Sequence, residues 1–235
     1  VDGEGESDGG ASAAVTSREQ DAVRILLLID GAAEPLPGPI ADDDALTDAV
    51  GVVEGQTRLQ KLDFWLRSPD YLADELLNDY ERSDEARLLD LAAQILDSEE
   101  PEVRRYPMLR HHFGAYEPLD DALAVLRSAG LVVRRRRGQV GRTSRHDYNL
   151  LNRGREVART VVAEAPPFRY YVDRVQLVLD LADGRGGNEL KNRQYLQDEY
   201  AATERGTRIG SISARARSRL VQLRAAAPTA NGGSA

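Results

Sequence analysis

Apolar positions along the chain recur in steps of three and four residues, broken by glycine, proline and acidic clusters. That rhythm predicts mainly helix. Val23, Leu26, Leu27 and Ile29 follow Ser17, which stands three residues before Gln20 in a capping-box spacing, so a first helix begins at Ser17 and stops at Gly31. Residues 33–55 hold three prolines and the run Asp42-Asp43-Asp44, and they read mostly as loop with a short helix over 44–53. Thr57 and Gln60 repeat the capping spacing ahead of Leu59, Leu62 and Leu66, with Phe64 and Trp65 widening the apolar face. Asp70 is read as the cap of a helix reaching Tyr80. Ser83 is read as the cap of another, with Leu88, Leu91, Ala92 and Ile95 on one face, ended by the acidic stretch before Pro101.

The second half of the chain changes period. Pro118 suits the first turn of a helix carrying Leu119, Leu123, Leu126 and Ala129, and Gly130 closes it. Leu131–Arg136 and Asp147–Leu151 then read as two strands around a turn that holds Gly138 and Gly141. Asn152 is read as the cap of a short helix that ends before Pro166-Pro167, and three further helices are predicted at about 168–183, 188–204 and 208–224. Residues 1–16 and 225–235 are small and polar and read as disordered tails. The fold class is therefore mainly α: a winged helix-turn-helix domain over 17–165 with a two-stranded wing, a helical insertion at about 68–100, and a C-terminal helical extension over 166–224.

Charge sharpens this picture. Residues 1–100 carry 25 acids and 7 bases, whereas residues 101–235 carry 14 acids and 24 bases, so an acidic half is joined to a basic one. Basic residues gathered in one half point to an anionic partner. The chain has 29 arginines against two lysines, Lys61 and Lys191. A GC-rich genome explains that ratio; so does a saline cytoplasm, where a nucleic-acid binder needs more guanidinium contacts for the same grip. Cysteine is absent, which excludes disulfides, iron–sulfur clusters and thiolate zinc sites and makes a cytoplasmic location the simplest expectation. Residues 1–17 lack the basic and apolar regions of a signal peptide. The longest apolar run, Ile25–Ile29, is far short of the roughly 20 residues that span a bilayer, so no membrane partner is expected.

Three segments together resemble a known group. Thr57-Arg-Leu-Gln-Lys-Leu-Asp-Phe-Trp-Leu66 is similar to the "LQKLLFLL" helix of a family of small prokaryotic winged-helix proteins. Phe113-Gly-Ala-Tyr116, the helix through Leu131, and Tyr148-Asn-Leu-Leu-Asn-Arg-Gly154 resemble the segments that follow it there. The resemblance covers about residues 20–160. It departs at the 68–100 insertion and at Leu151, where Thr or Ser is usual. It implies the fold and a recognition role, with regulators and phage-associated antitoxin-like proteins among the relatives, and it supplies no catalytic residues.

The densest candidate chemistry is the wing. Arg134, Arg135, Arg136, Arg137, Arg142 and Arg145 lie on or beside one hairpin tip, with Arg153 at the start of the next helix. Guanidinium forks on a ribbon suit phosphates or a minor groove, so DNA is the expected partner and transcription regulation the expected role. The alternatives are an edge strand charged against aggregation and a protein-interaction module, antitoxin-like or a defence-system adaptor. Arg155, Arg159, Arg104, Arg105 and Arg110 extend the same footprint. The preceding helix argues against major-groove reading, because it offers Glu117, Asp120 and Asp121 first and only Arg127 near its end. His111, His112 and His146 lack metal-ligand spacing, the run Asp42–Asp44 lacks a calcium-loop pattern, and Gly184, Gly186 and Gly187 read as a linker turn. No nucleophile–base arrangement is present, so neither an enzyme nor a cofactor is expected. Tyr171, Val175 and Val178 form an apolar stripe that could pack back on the domain, but a homodimer built through these C-terminal helices, placing two basic wings on one duplex, is the expectation; the last helix, with Arg208, Arg215, Arg217, Arg219 and Arg224, either contacts phosphates or shields the acidic half.

Overall fold

Two helices with apolar residues on every side must lie inside a protein, and here they set the architecture. In the computed structural model, which describes residues 17–36, 38, 43–97, 108–111, 114–116, 119–138 and 145–227, these are α1 (Arg18–Ala32) and α2 (Gln56–Arg67). Ile25 to Ile29 of α1 and every residue from Leu59 to Arg67 of α2 are buried. Ser17 caps α1 as its spacing predicts: the Gln20 amide donates to Ser17 Oγ at 3.2 Å and the Ser17 amide to Gln20 Oε1 at 2.8 Å. The helix passes Gly31 and ends at Ala32. Gly31 is small because a Cβ there would stand 2.6 Å from Val175 Cγ1 of a later helix. α2 starts at Gln56 behind Gly55, with no side-chain cap from Thr57.

The stretch expected to be loop with a short helix holds a strand. A single 3-10 turn covers Asp44–Leu46, and β2 (Ala49–Glu54) follows, paired with the two-residue β1 (Glu34–Pro35). Val50, Val52 and Val53 suit a pleated surface, and a distant partner strand decides the outcome. That partner is β6 (Arg145–Leu151), itself paired with β5 (Val132–Arg137), giving an antiparallel sheet of order β1-β2-β6-β5. Both strands of the arginine-rich hairpin lie where alternation placed them. Val53, Tyr148, Leu150 and Val132 face the core, and the register Val53↔Tyr148↔Arg134 carries that face out along the hairpin.

Between β2 and β5 the chain forms α2, then α3 (Pro69–Ser83), α4 (Ala86–Asp97), the small hairpin β3 (Leu109–His111)–β4 (Gly114–Tyr116), and α5 (Asp120–Ser128). Asp70 does not cap α3, because Ser68 and Pro69 precede it as N-cap and first residue. Its carboxylate instead accepts from Ser211 Oγ and the Ile212 amide, both at 2.7 Å. Ser83 closes α3 rather than opening α4. Gly130 ends the α5 segment at φ 66°, a left-handed turn that glycine adopts without strain. α6 (Asn152–Glu164) packs so closely on that turn that a Cβ on Gly154 would lie 2.3 Å from the Leu131 carbonyl oxygen. Pro118, Phe113 and the two tails 1–16 and 228–235 lie outside the described residues.

The C-terminal part is α7 (Arg169–Ala182), α8 (Gly187–Gln194), α9 (Asp198–Ala202) and α10 (Ser213–Ala226). The helix expected over 188–204 is two short ones, and α10 starts later and ends later than its expected 208–224. α7 covers α1 and α2, α8 covers α2, and α10 lies on α3 and α4. Tyr200 is buried edge-on against Phe64 and Tyr195, with ring centroids 5.3 and 5.2 Å apart, which locks α9 onto α2. Among the described residues no helix is long and apolar enough to cross a membrane.

Charge is built into this core. Arg24 of α1 is fully buried; Nη1 donates to Asp21 at 2.5 Å and Nε to Asp63 of α2 at 2.9 Å. Burial works against the guanidinium, but the two carboxylates outweigh it and hold its proton more tightly than usual. Removing one partner of such a pair leaves an uncompensated charge inside the protein. Asp63→Ala should therefore lower unfolding stability by about 3 kcal/mol or more, read from urea denaturation; a loss no larger than that of a surface substitution would contradict the role of the pair.

Lys61, also buried on α2, is pulled from 10.5 to about 7, chiefly by burial and further by the charge of Lys191. Between those two values the unfolded chain binds more protons than the folded one, so lowering the pH through this window costs stability, and the whole cost is present below about 7. Lys61→Met should melt well above wild type at pH 6, and the gap should close toward pH 10. A gap independent of pH in thermal melts would refute this.

Candidate nucleic-acid interface

Hairpin register decides which arginines share a side. Directly paired residues point to the same face, so Arg134 and Arg136 lie with Tyr148 and His146, while Arg135 and Arg137 lie with Asp147 and Arg145. The sequence thus brings Arg134, Arg135, Arg136, Arg137 and Arg145 onto one ribbon; Arg142 lies outside the described residues. Arg153 is exposed on the first turn of α6, next to the close contact between Gly154 and the α5–β5 turn. Arg104 and Arg105 lie outside the described residues, and Arg110 belongs to β3.

Four of the five ribbon arginines hold carboxylates of their own chain. Arg134 Nη1 reaches Asp120 of α5 at 3.3 Å. Arg135 grips Asp43 with two prongs, Nε to Oδ2 at 2.6 Å and Nη2 to Oδ1 at 2.8 Å. Arg145 lies 2.8 Å from Asp147 and 2.9 Å from Glu54, and Arg137 lies 3.7 Å from the second Asp147 oxygen. Asp147 is buried and also accepts from the Gly55 amide at 3.2 Å, so it ties the ribbon to the start of α2. The hydrogen bonds from Arg135, helped by its charge, hold the Asp43 carboxyl below the usual carboxylate range. The reverse effect raises Arg135, and Asp147 raises Arg145.

The ribbon arginines are thus clustered, but partly neutralised by carboxylates of their own chain. The arginine ends stay open to solvent, with side-chain exposures from 31% for Arg134 to 56% for Arg137, so an incoming anion can reach each guanidinium, while the Asp147 carboxylate behind Arg137 and Arg145 is itself buried. Arg136 at the tip and Arg153 are exposed and have no carboxylate partner among the described residues. The same holds for Arg127 at the end of α5 and Arg159 on α6, whereas Arg155 is held by Asp30 at 3.1 Å.

The sequence alone did not assign the carboxylate partners. Asp147 was within reach of a register count, because a hairpin that closes with Arg137 opposite Arg145 places Asp147 opposite Arg135. Asp43 and Asp120 come from elements outside the ribbon. Asp120 and Asp121 are exposed on the first turn of α5, and Arg18 pairs with Asp121 at 3.5 Å. His146 sits opposite Arg136, and among the described residues no three His, Asp or Glu side chains gather around a metal position.

The arginines of α10 pair with acids of α3 and α4, Arg215 and Arg219 half-buried and Arg217 and Arg224 on the exposed surface. Arg215 and Arg219 both bind Asp74 of α3, at 3.1 and 2.9 Å, and Arg219 also binds Glu81 at 2.8 Å. Arg217 and Arg224 reach Asp97 and Asp90. Shielding of the acidic half is thus the use this helix finds. The stripe Tyr171, Val175 and Val178 is buried within a single chain, where α7 lies on α1 and α2, rather than offered to a second copy. No family model matches the chain, and no curated protein or solved structure matches it.

Asp147 is the pivot between the ribbon and α2. Asp147→Asn should cost about 1–3 kcal/mol of stability and speed hydrogen exchange at the Gly55 and Arg145 amides. Unchanged protection at both amides would show that the ribbon is held by its backbone ladder alone.

Proposed function

We propose that this chain is a winged-helix protein that binds double-stranded DNA through its wing, gripping phosphates with little sequence preference, as a transcription regulator. The element order supports the scaffold: helix, strand, helix, inserted pair, helix and hairpin, with β6 lying between β2 and β5. The observation that carries the function is the ribbon itself, five arginines on one two-stranded finger, with Arg136 near its tip and Arg153 beside its base both exposed and without a carboxylate partner among the described residues. Guanidinium forks on such a finger can run along a backbone or enter a narrow minor groove. Asp120 and Asp121 repel phosphates from the start of α5, so base readout by that helix forms no part of the reading. The same acidic turn favours a second reading, a docking module for a basic protein surface, antitoxin-like or an adaptor.

Titrating salt separates the two. Nuclease-treated protein should shift a labelled duplex, with log affinity falling linearly as log salt rises. Arg136→Gln and Arg153→Gln should each reduce the magnitude of that slope by about one unit, and alanine at Arg134–Arg137 should flatten it further. A slope unmoved by these changes takes the wing out of the interface. Nuclease-resistant co-purification of a partner protein, with no duplex binding at low salt, would favour the docking module.

A further inference from the structure

The wing carries its own competitor for phosphate. Asp43 stands on the connection between β1 and β2, far along the chain from Arg135, yet it receives that residue's two-pronged grip. A guanidinium meets a phosphate in the same paired geometry. The carboxylate is not a loose side chain: its Oδ1 also accepts from the Ala45 amide at 3.2 Å, capping the 3-10 turn whose Leu46 is buried in the core. The turn therefore presents a fixed anion to the ribbon. Arg137 adds its charge to the pull on that anion. Both partners keep about a third of their side-chain surface open, 35% for Arg135 and 29% for Asp43, so an outside anion can approach the occupied fork.

We propose that Asp43 is a built-in phosphate mimic that occupies Arg135 in the free protein and must be displaced before the wing closes on DNA. The inference rests on the DNA-binding reading and adds a selectivity device to it. A lone carboxylate on an acidic protein gains little by replacing one already in place. A DNA backbone meets several arginines at once and releases its condensed counterions in doing so, so it can displace Asp43 where a single acid cannot.

The test is fluorescence anisotropy with a labelled duplex of random sequence and the full, nuclease-treated chain. Asp43→Asn removes the charge while keeping a residue that caps as well as aspartate does. It should tighten binding about two- to fivefold at low salt, the range set by exposed ion pairs. Asp44→Asn removes the same charge from the same turn, at an exposed position with no arginine partner among the described residues, and should change affinity less. On an Arg135→Gln background the gain from Asp43→Asn should disappear. Equal gains from both aspartates, a gain that persists without Arg135, or wild-type binding unaltered by Asp43→Asn would each overturn the mimic while leaving DNA binding intact. Folded protein that binds no duplex in any variant would remove the DNA-binding reading, and the mimic with it.

Discussion

The guanidinium of Arg24, held between Asp21 and Asp63 with no exposure to solvent, fixes how the two innermost helices meet. Leucine contacts are non-directional: Leu59, Leu62 and Leu66 would pack acceptably at several rotations of α2. A hydrogen bond from Arg24 Nε to Asp63 allows far fewer, because a rotation that broke it would strand charge in the core. Arg67 stands 3.8 Å from the other Asp63 oxygen, so two cations and two anions share the site and the cluster is balanced. With α2 fixed against α1, the strand that leads into it through Gly55 is fixed too. β2 is the strand on which β6, and through it β5, is built. The position of the arginine-rich hairpin thus traces back to a buried ion pair between α1 and α2.

Charge also organises the outer layers. The acidic first half and the basic second half fold onto one another: α10 lays four arginines over carboxylates of α3 and α4, and Arg193 of α8 binds Glu75 at 2.6 Å and Asp79 at 2.8 Å. Arginine suits this use, since a planar fork can hold two carboxylates at once, as Arg219 holds Asp74 and Glu81. A basic half read from composition is therefore no measure of a basic surface. What remains for an outside anion is smaller and more local. Among the described residues it includes the exposed Arg127, Arg136, Arg153 and Arg159, which have no carboxylate partner there, and Arg134 and Arg135, whose pairs with Asp120 and Asp43 are open to solvent and hence individually weak.

Local rules were sufficient wherever a residue acts on its near neighbours. The Ser17 and Gln20 box, the stop at Gly130 and the two hairpin strands could all be read from the chain, because caps, left-handed turns and two-residue alternation involve groups only a few positions apart; Asn152, expected to cap α6, is instead its first residue behind Leu151. The apolar stripes of α2 and α7 were equally plain from their spacing, but that α7 turns its stripe onto α1 and α2 of the same chain was not. Gly154 also stood out in sequence, and the structure supplies its reason, a backbone approach that leaves no space for a Cβ.

Contacts distant in sequence were decided by the tertiary structure. Ala49–Glu54 became a strand because β6 offered a ladder. Gly31 was spent on the approach of α7 rather than on ending a helix, and Asp70 was drawn away from capping by the turn before α10. The same holds at the candidate site. The sequence determined that five arginines lie on one ribbon, because alternation and register are local, and folding determined that Asp43 and Asp120 come to meet two of them. An isolated chain segment carries its formal charge wherever it goes. The field it presents to a partner depends on which opposite charges the fold brings within a few ångströms, and no local pattern encodes that distance.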